Sequence, residues 1–557
     1  MDAQVFANLA LMKPSSREGP VEKVWAMLNN DGPLPRQRKE ESGFKVSGSH
    51  RSIPRWFEPC ALLLGLTLFL ALACTIAHIR LLWYDEIFTR QVIEQGSWSK
   101  ILAGLRRGLD QQPPVFFLLT GWTRPIGGEE VGLRLPAMLG FAFAGLSMYA
   151  IARRWLSQGY AIVAMTAPWI GWFNPLGVEA RPYGLVMGFV SLALLGWTYR
   201  DLKPLAGRTA YIVGVLGAAA VHYYGFLVAL PFGVAAAWTA VRTRRWDVWT
   251  ILGCGCSFLP NLLTLSIIRD AIAFYKGGAW NPPSWSKLLF SSYGWALAGL
   301  AAVLLASRDW KRKAGSLREG PPDVRPSGET LVCWAGFCAV PILAVFLAKT
   351  ISGMVTPRYF SMYSLGYGLL LAYLLARSAA GSRWLGYLAG GVGLVVFLST
   401  AVRQYQTADW QRASVLASTA EIEGILKRPE YSKSRLLIGA PQIAMQWAYY
   451  SPELRDRIVF PADPVRSLRY LGSDNEHKGL LHLRGSFPLD IEPLDEFVHH
   501  EKHEFLVYHS FDSFLGRYFS QEPEFASRLK VLMEGDDFVL FRVDPAAATG
   551  TARDERP

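Results

Sequence analysis

Residues 84–90 read YDEIFTR, and the adjacent carboxylates Asp85 and Glu86 directly follow the first long apolar run of a 557-residue chain. A carboxylate beside lipid can take a proton, pair with a cation, ligate a metal or cap a helix. Ionisable groups at membrane depth are costly to place and are a mark of function. Consecutive helix residues point about 100° apart, so the two acids cannot both aim at one small atom, and one must support the other. The structural alternative is an N-cap at Asp85 for a helix starting at Glu86. Four later polar stretches also lie at the ends of apolar runs: DQQPPVFF with Asp110, NPLGVEARPYG with Glu179, Arg181 and Tyr183, HYYG with His222, and TPRYF with Arg358. A guanidinium can grip phosphate oxygens in two places, and an imidazole can donate or ligate a metal. Taken singly, Arg181 and Arg358 also suit headgroup contacts, and His222 suits a packed, hydrogen-bonded position.

The elements that must position these groups are apolar. The chain is 51% hydrophobic, and its repeated runs of about 17–25 residues are long enough to cross a bilayer. The sequence predicts a polytopic α-helical membrane protein with about eleven spans. Their limits are 57–79, 131–152, 159–173, 183–199, 209–222, 223–241, 248–267, 288–306, 331–349, 359–377 and 384–402. The apolar stretch 113–127 starts with a Pro pair and is too short to span, so it reads as an interfacial or re-entrant helix. The net charge of +12 does not signal nucleic acid. The Lys and Arg excess falls in every second short loop: Arg36 to Arg55, Arg153 and Arg154, Arg200 to Arg208, Arg242 to Arg245, the 307–330 linker, and Arg377 with Arg383. The positive-inside rule puts these loops, and the N-terminus, in the cytoplasm. The polar stretches above then share the opposite face, with the loop 80–130.

Past residue 402 the pattern changes. RLLIGA, RIVFPA, HEFLVYHS and KVLMEGDDFVLFRV read as short strands, with amphipathic stretches such as PVRSLRYL between them. This predicts a soluble α/β domain over 403–546 on the outer face, ending in a hairpin. Residues 1–56 read as a flexible cytoplasmic tail, 57–402 as the membrane module, and 547–557 as disordered. All six cysteines lie in or beside apolar runs, without CxxC spacing, which predicts packing roles.

In their order, YDEIFTRQVIEQGSW, DQQPPVFFLLTGW, VGLRLPAMLGFAFAGLSMYAIARRW, EARPYGL, HYYGF and PRYF resemble bacterial integral-membrane glycosyltransferases of the GT-C fold. The resemblance is to the protein-mannosyltransferase and aminoarabinose-transferase superfamily, over about residues 57–402. That resemblance implies a donor sugar on a polyprenyl phosphate and an acceptor that is an envelope glycolipid, glycan or protein. It places the reaction on the outer face of the bacterial inner membrane. It carries the proposed catalytic base to Asp85, with Glu86 its neighbour. Two positions depart from the family pattern: Gln112 stands where the family often has His or Lys, and Val178 where it often has Gln.

A positioned carboxylate can take the acceptor proton, and direct displacement with one base implies inversion at the anomeric carbon. The leaving lipid phosphate calls for cationic donors; Arg181 and Arg358 are the candidates, with Glu179, His222, Asp110 and Tyr183 around the substrate. Arg134, at the start of the second span, is expected to brace the acid pair by an ion pair. A divalent ion held by Asp85, Glu179 or His222 is a further expectation. Loop 268–287, with its aromatics and Gly and Pro pairs, reads either as a lid over the donor or as an interfacial aromatic belt. A transporter or flippase would place polar groups along the spans or in broken helices, and the spans here are nearly free of acids. A non-catalytic scaffold would use the same acids only as helix caps.

Overall fold

The computed structural model describes residues 57–170, 175–275, 282–313, 325–485, 487–510, 513–535 and 537–544. The expected tails 1–56 and 547–557, the centre of the 268–287 loop and residues 314–324 of the basic linker lie outside these.

Among the described residues, six helices are long and apolar enough to cross a membrane: Glu58–Ile79, Glu129–Arg153, Pro204–Val221, Tyr223–Thr243, Gly328–Ser352 and Arg383–Leu426. A bent pair, Val248–Leu263 with Leu265–Phe274, makes a seventh if counted as one span. The expected limits shift where the chain carries breakers. The described part of the run 159–173 is a helix Gln158–Thr166 and a 3₁₀ turn Ala167–Trp169, because Pro168 cannot donate to the helical ladder, and 171–173 lie outside the described residues. The run 248–267 bends by 64° just after a short helix that has Pro260 in its first turn. The boundary expected at 402 falls inside one continuous 44-residue helix, Arg383–Leu426. Residues 394–423 contain neither Gly nor Pro, so the helix runs on after its side chains turn from apolar to amphipathic.

The first long helix, α1 (Phe57–Ile79), leads into four elements: α2 (Tyr84–Ile93), α3 (Trp98–Arg106), α4 (Pro114–Thr123) and α5 (Glu129–Arg153). Only ten residues long, α4 starts with Pro114 in its first turn, where a missing N–H costs nothing. Close backbone approach then builds the centre. A Cβ on Gly140 of α5 would lie 2.1 Å from the Gly184 carbonyl oxygen, and one on Gly184 would lie 2.4 Å from that of Ala137. Small residues let helices in lipid approach until their backbones touch. The contact locks α5 to the helix Tyr183–Tyr199 and so fixes the loop that carries Glu179 and Arg181.

The C-terminal part holds one six-stranded sheet: β1 (Leu436–Ile438), β2 (Ile458–Ala462), β3 (Asp490–Pro493), β4 (Phe505–Ser510), β5 (Leu529–Glu534) and β6 (Phe538–Val543). Its order is β3-β2-β1-β4-β6-β5. The first four strands run parallel, and β5 and β6 form an antiparallel hairpin at the edge. All five residues of β2 are buried, as expected of a parallel strand covered on both faces. β3, with the polar sequence DIEP, has no apolar signal and was not among the expected strands.

Substituting Gly184 by Val should lower the thermal midpoint and abolish function, since overpacking a tight contact costs about 1–3 kcal/mol. Gly391→Ala, where an added Cβ meets nothing within 4 Å, should leave the midpoint unchanged or raise it. Fluorescence-monitored unfolding of the purified variants reads both.

Candidate active site

The short stretch between α1 and α2, residues 80–83, has almost every backbone polar group assigned to a partner. Arg134, fully buried on α5, donates through Nη1 to the carbonyls of Ala77 and Arg80, each at 2.6 Å, and through Nη2 to that of Leu81 at 3.1 Å. Its remaining hydrogen bonds go to Glu86: Nε to Oε1 at 2.7 Å and Nη2 to Oε2 at 2.6 Å. Glu86 also accepts from the backbone N–H of Ala180 at 2.7 Å and from that of Trp83 at 3.3 Å. Burial raises this carboxyl, but Arg134 outweighs it and holds Glu86 below its usual value. With four donors and no exposed surface, Glu86 has no face for a substrate. It ties α1, α2, α5 and the 178–180 loop together. The cap expected at Asp85 is not formed: α2 starts at Tyr84, its N-cap is Trp83, and Glu86 accepts the Trp83 N–H.

Asp85 points the other way. Its Oδ2 lies 3.0 Å from Arg358 and 3.7 Å from Nε of Arg181, and its side chain keeps 18% exposure. Burial pushes the carboxyl up, but Arg181 and Arg358 pull harder and hold it below the ordinary Asp value. Arg181 turns its outer nitrogens to Asp110, at 2.6 and 3.3 Å, and also reaches the Asp85 carbonyl and the Thr89 hydroxyl, both at 3.2 Å. Asp110 accepts in addition from the Gln111 N–H. Pro357 opens the 3₁₀ turn Pro357–Phe360, which carries Arg358 into this space, and its guanidinium sits 5.5 Å from the ring centres of both Trp83 and Tyr183. The Nε atoms of Arg181 and Arg358 are buried without a hydrogen-bond partner.

Glu179 pairs with Arg80 at 3.1 Å through Oε1, while its Oε2 is buried and unpartnered. Burial pushes its carboxyl above the usual value despite Arg80 and Arg358. His222 caps the helix Pro204–Val221, and its Nδ1 accepts from the Tyr224 N–H at 3.1 Å, which puts the ring proton on Nε2. Burial, then the charges of Arg181 and Arg358, push its pKa down to about 3. The ring is therefore neutral, packed among Tyr183 at 5.5 Å and Tyr359 at 5.1 Å.

The structure thus brings Asp85, Asp110, Arg181, Arg358 and Tyr183 into one linked set, with Glu86 and Arg134 behind it and Glu179 and His222 at its sides. A divalent ion on Asp85, Glu179 or His222 is a further expectation. Among the described residues no group of three or more His, Cys, Asp or Glu side chains could hold an ion. The physical reason is that Asp85 faces two arginines, Glu179 faces Arg80, and the imidazole Nδ1 is taken by a backbone N–H. Arg80, Thr89 and Trp83 were missed in the sequence. Arg80 looks there like a headgroup contact at a span end, and Thr89 and Trp83 carry no charge to flag them. Gln112 is buried with Oε1 unpartnered.

No family model matches the chain, and no curated protein matches it. Solved structures do. A crystal structure of ArnT from Cupriavidus metallidurans in the apo state aligns with a TM-score of 0.53 at 14% identity, covering 86% of this chain and 98% of that one. A crystal structure of the same protein bound to undecaprenyl phosphate aligns with a TM-score of 0.50 at 13% identity, covering 88% and 98%. The chain has a GT-C-like fold, with apolar helices suited to a membrane and a small C-terminal sheet.

Replacing Arg134 by Leu would leave the buried Glu86 charge without its ion-pair partner and with only two backbone N–H donors, a loss on the order of 3–5 kcal/mol. Glu86→Leu combined with Arg134→Leu should recover part of that loss, the remainder being the orphaned carbonyls of Ala77, Arg80 and Leu81. A double-mutant cycle on unfolding midpoints measures the coupling.

Proposed function

We propose that the chain is a membrane glycosyltransferase that moves a sugar from a polyprenyl-phosphate donor to a hydroxyl or amine of an envelope glycolipid, glycan or protein. The observation that carries this reading is the Asp85 carboxylate: partly exposed and flanked by two guanidinium groups whose Nε atoms are buried and unpartnered. The fold likeness to ArnT, one of whose structures holds undecaprenyl phosphate, supports a polyprenyl-linked donor.

In the reaction, Asp85 accepts the acceptor proton as the acceptor oxygen or nitrogen bonds to the anomeric carbon. The bond from that carbon to the phosphate oxygen breaks, and its electron pair leaves with the phosphate. Arg358 and the free edge of Arg181 face the charge that develops there, in a poorly hydrated place where such donors count most. Displacement from the opposite side inverts the anomeric carbon. Asp110 holds Arg181 in register, and neutral His222 offers Nε2–H as a donor to the sugar or phosphate. In this reading the set faces the extracytoplasmic side, as does the C-terminal sheet. The N-terminus is cytoplasmic, and the helices Gln158–Thr166, Tyr183–Tyr199, Ser292–Lys313 and Tyr363–Ser378, added to the six long helices and the bent pair, make the eleven crossings of this reading. The basic residues at the far ends of the same helices, Arg153, Arg154, Arg200 and Arg208, support that orientation.

Asp85→Asn should abolish sugar transfer from a polyprenyl-phosphate donor while membrane insertion and the unfolding midpoint are retained; full activity in this variant contradicts the reading. The acid limb of kcat/KM reports the base in the free enzyme, and protonating Asp85 removes it. Because the two arginines depress its pKa, that limb should lie below pH 3.8, the ordinary Asp value, and Arg358→Gln should move it upward. A single cysteine placed in 436–534 should be labelled by an impermeant maleimide from outside the inner membrane; protection would invert the orientation.

A further inference from the structure

The helix Pro441–Tyr450 follows β1 and serves two faces at once. Ala444, Met445, Trp447 and Ala448 are buried, with the Trp447 ring 4.9 Å from that of Tyr508 on β4. Gln446, Tyr449 and Tyr450, spaced i, i+3 and i+4 and so on one side of the helix, reach instead toward the membrane module. Nε2 of Gln446 donates to the Leu82 carbonyl at 2.9 Å, and the Leu82 N–H donates to the Tyr450 hydroxyl at 2.7 Å. Both backbone groups of the residue three positions before Asp85 are therefore held by side chains more than 360 positions away in the sequence.

The same helix holds the other end of α2. The Tyr449 hydroxyl donates to Glu129 Oε2 at 2.6 Å. The other oxygen of Glu129 accepts from Arg90 at 3.0 Å and from Arg124 at 2.8 Å. Arg90 lies in the last turn of α2, and its guanidinium stacks 5.0 Å over the Tyr449 ring. A third contact runs from Arg412 to the carbonyl of Ile79, the last residue of α1, at 3.4 Å.

We infer that the C-terminal α/β unit is a clamp on the acid-bearing helix, with Gln446, Tyr449 and Tyr450 as positioning residues that set Asp85 against Arg358 and Arg181. The inference rests on the reading of Asp85 as the base. Asp85 meets Arg358 at 3.0 Å through a helix only ten residues long. So short a helix is marginal alone in water, and its orientation must come from its anchors. Glu86 and Arg134 supply one anchor from inside the membrane module, and the clamp supplies the second from outside it. Displacing a positioned group by about 1 Å can cost about a hundredfold in rate.

The test uses the full-length protein in nanodiscs with a polyprenyl-phosphate sugar donor. Tyr450→Phe and Tyr449→Phe keep the rings and remove the hydroxyls, and Gln446→Leu removes the amide. Each single variant, and the triple variant, is measured for kcat, donor KM and the acid limb of the pH profile, per mole of folded protein. Hydrogen exchange over 81–90 is followed alongside. The expected result is a kcat lowered about tenfold to a hundredfold in the triple variant, with donor KM nearly unchanged, faster exchange in 81–90, and the acid limb moved upward as Asp85 slips from the arginines. A role in stability alone would lower the folded fraction and move none of these per folded molecule. Should the triple variant not fold, the singles decide, with a smaller change of the same sign expected in Tyr450→Phe. Wild-type kcat, pH profile and exchange in the folded variants would overturn the clamp. An active Asp85→Asn enzyme would overturn the reading of the base instead, so the two failures are distinguishable.

Discussion

The arrangement depends on one buried ion pair. Glu86 and Arg134 have no exposed surface, yet neither carries an unmet charge, because four donors converge on the carboxylate and the guanidinium spends its remaining hydrogen bonds on three carbonyls. Removing water from two charges is expensive, and such a pair survives only when its lone pairs and protons are satisfied. The carbonyls it satisfies belong to the end of α1, where a helix has no partners of its own to offer. The pair therefore closes one helix, starts the next and fixes the loop before Arg181 in a single network.

That network divides the labour between adjacent acids. A helix turns Asp85 and Glu86 about 100° apart, so when Glu86 faces inward to Arg134, Asp85 turns instead toward Arg181 and the turn that carries Arg358. The inner acid is held ionised by one fully committed arginine. The outer one is held ionised by two arginines that each keep an unpartnered nitrogen. An anion arriving at those nitrogens would weaken their hold on Asp85 and strengthen it as a proton acceptor. Binding of the leaving group and activation of the base would then be the same event. Neutral His222 fits this economy, since a third cation beside Arg181 and Arg358 would repel both.

Much of the architecture was legible in the sequence because its signals are local. Apolar runs and alternating basic loops marked a polytopic helical protein, and the ordered polar stretches pointed to the groups at one end. The limits that moved did so where a local signal competed with an element's continuity, as at Pro168 and Pro260, or where no breaker existed, as in Arg383–Leu426. The roles within the cluster were less legible. Nothing in YDEIF says which acid turns inward, since that is set by Arg134 more than forty positions later. Residue type suggested a divalent ion on Asp85, Glu179 or His222, and said nothing of the arginines and the backbone N–H that these groups face. Nothing in PQIAMQWAYY announces a grip on Leu82, because hydrogen bonds from Gln and Tyr to a distant backbone leave no periodicity to read.

The central claim is that Asp85, held between Arg358 and Arg181, borders the place where a lipid-linked phosphate departs. Cryo-electron microscopy of the full-length protein in nanodiscs with undecaprenyl phosphate tests it most directly. The account predicts phosphate density against the free edges of Arg358 and Arg181, with the Asp85–Arg358 separation lengthened from its present 3.0 Å. Phosphate density well resolved elsewhere, with the Asp85–Arg358 pair intact and no path joining it to the bilayer, would contradict it.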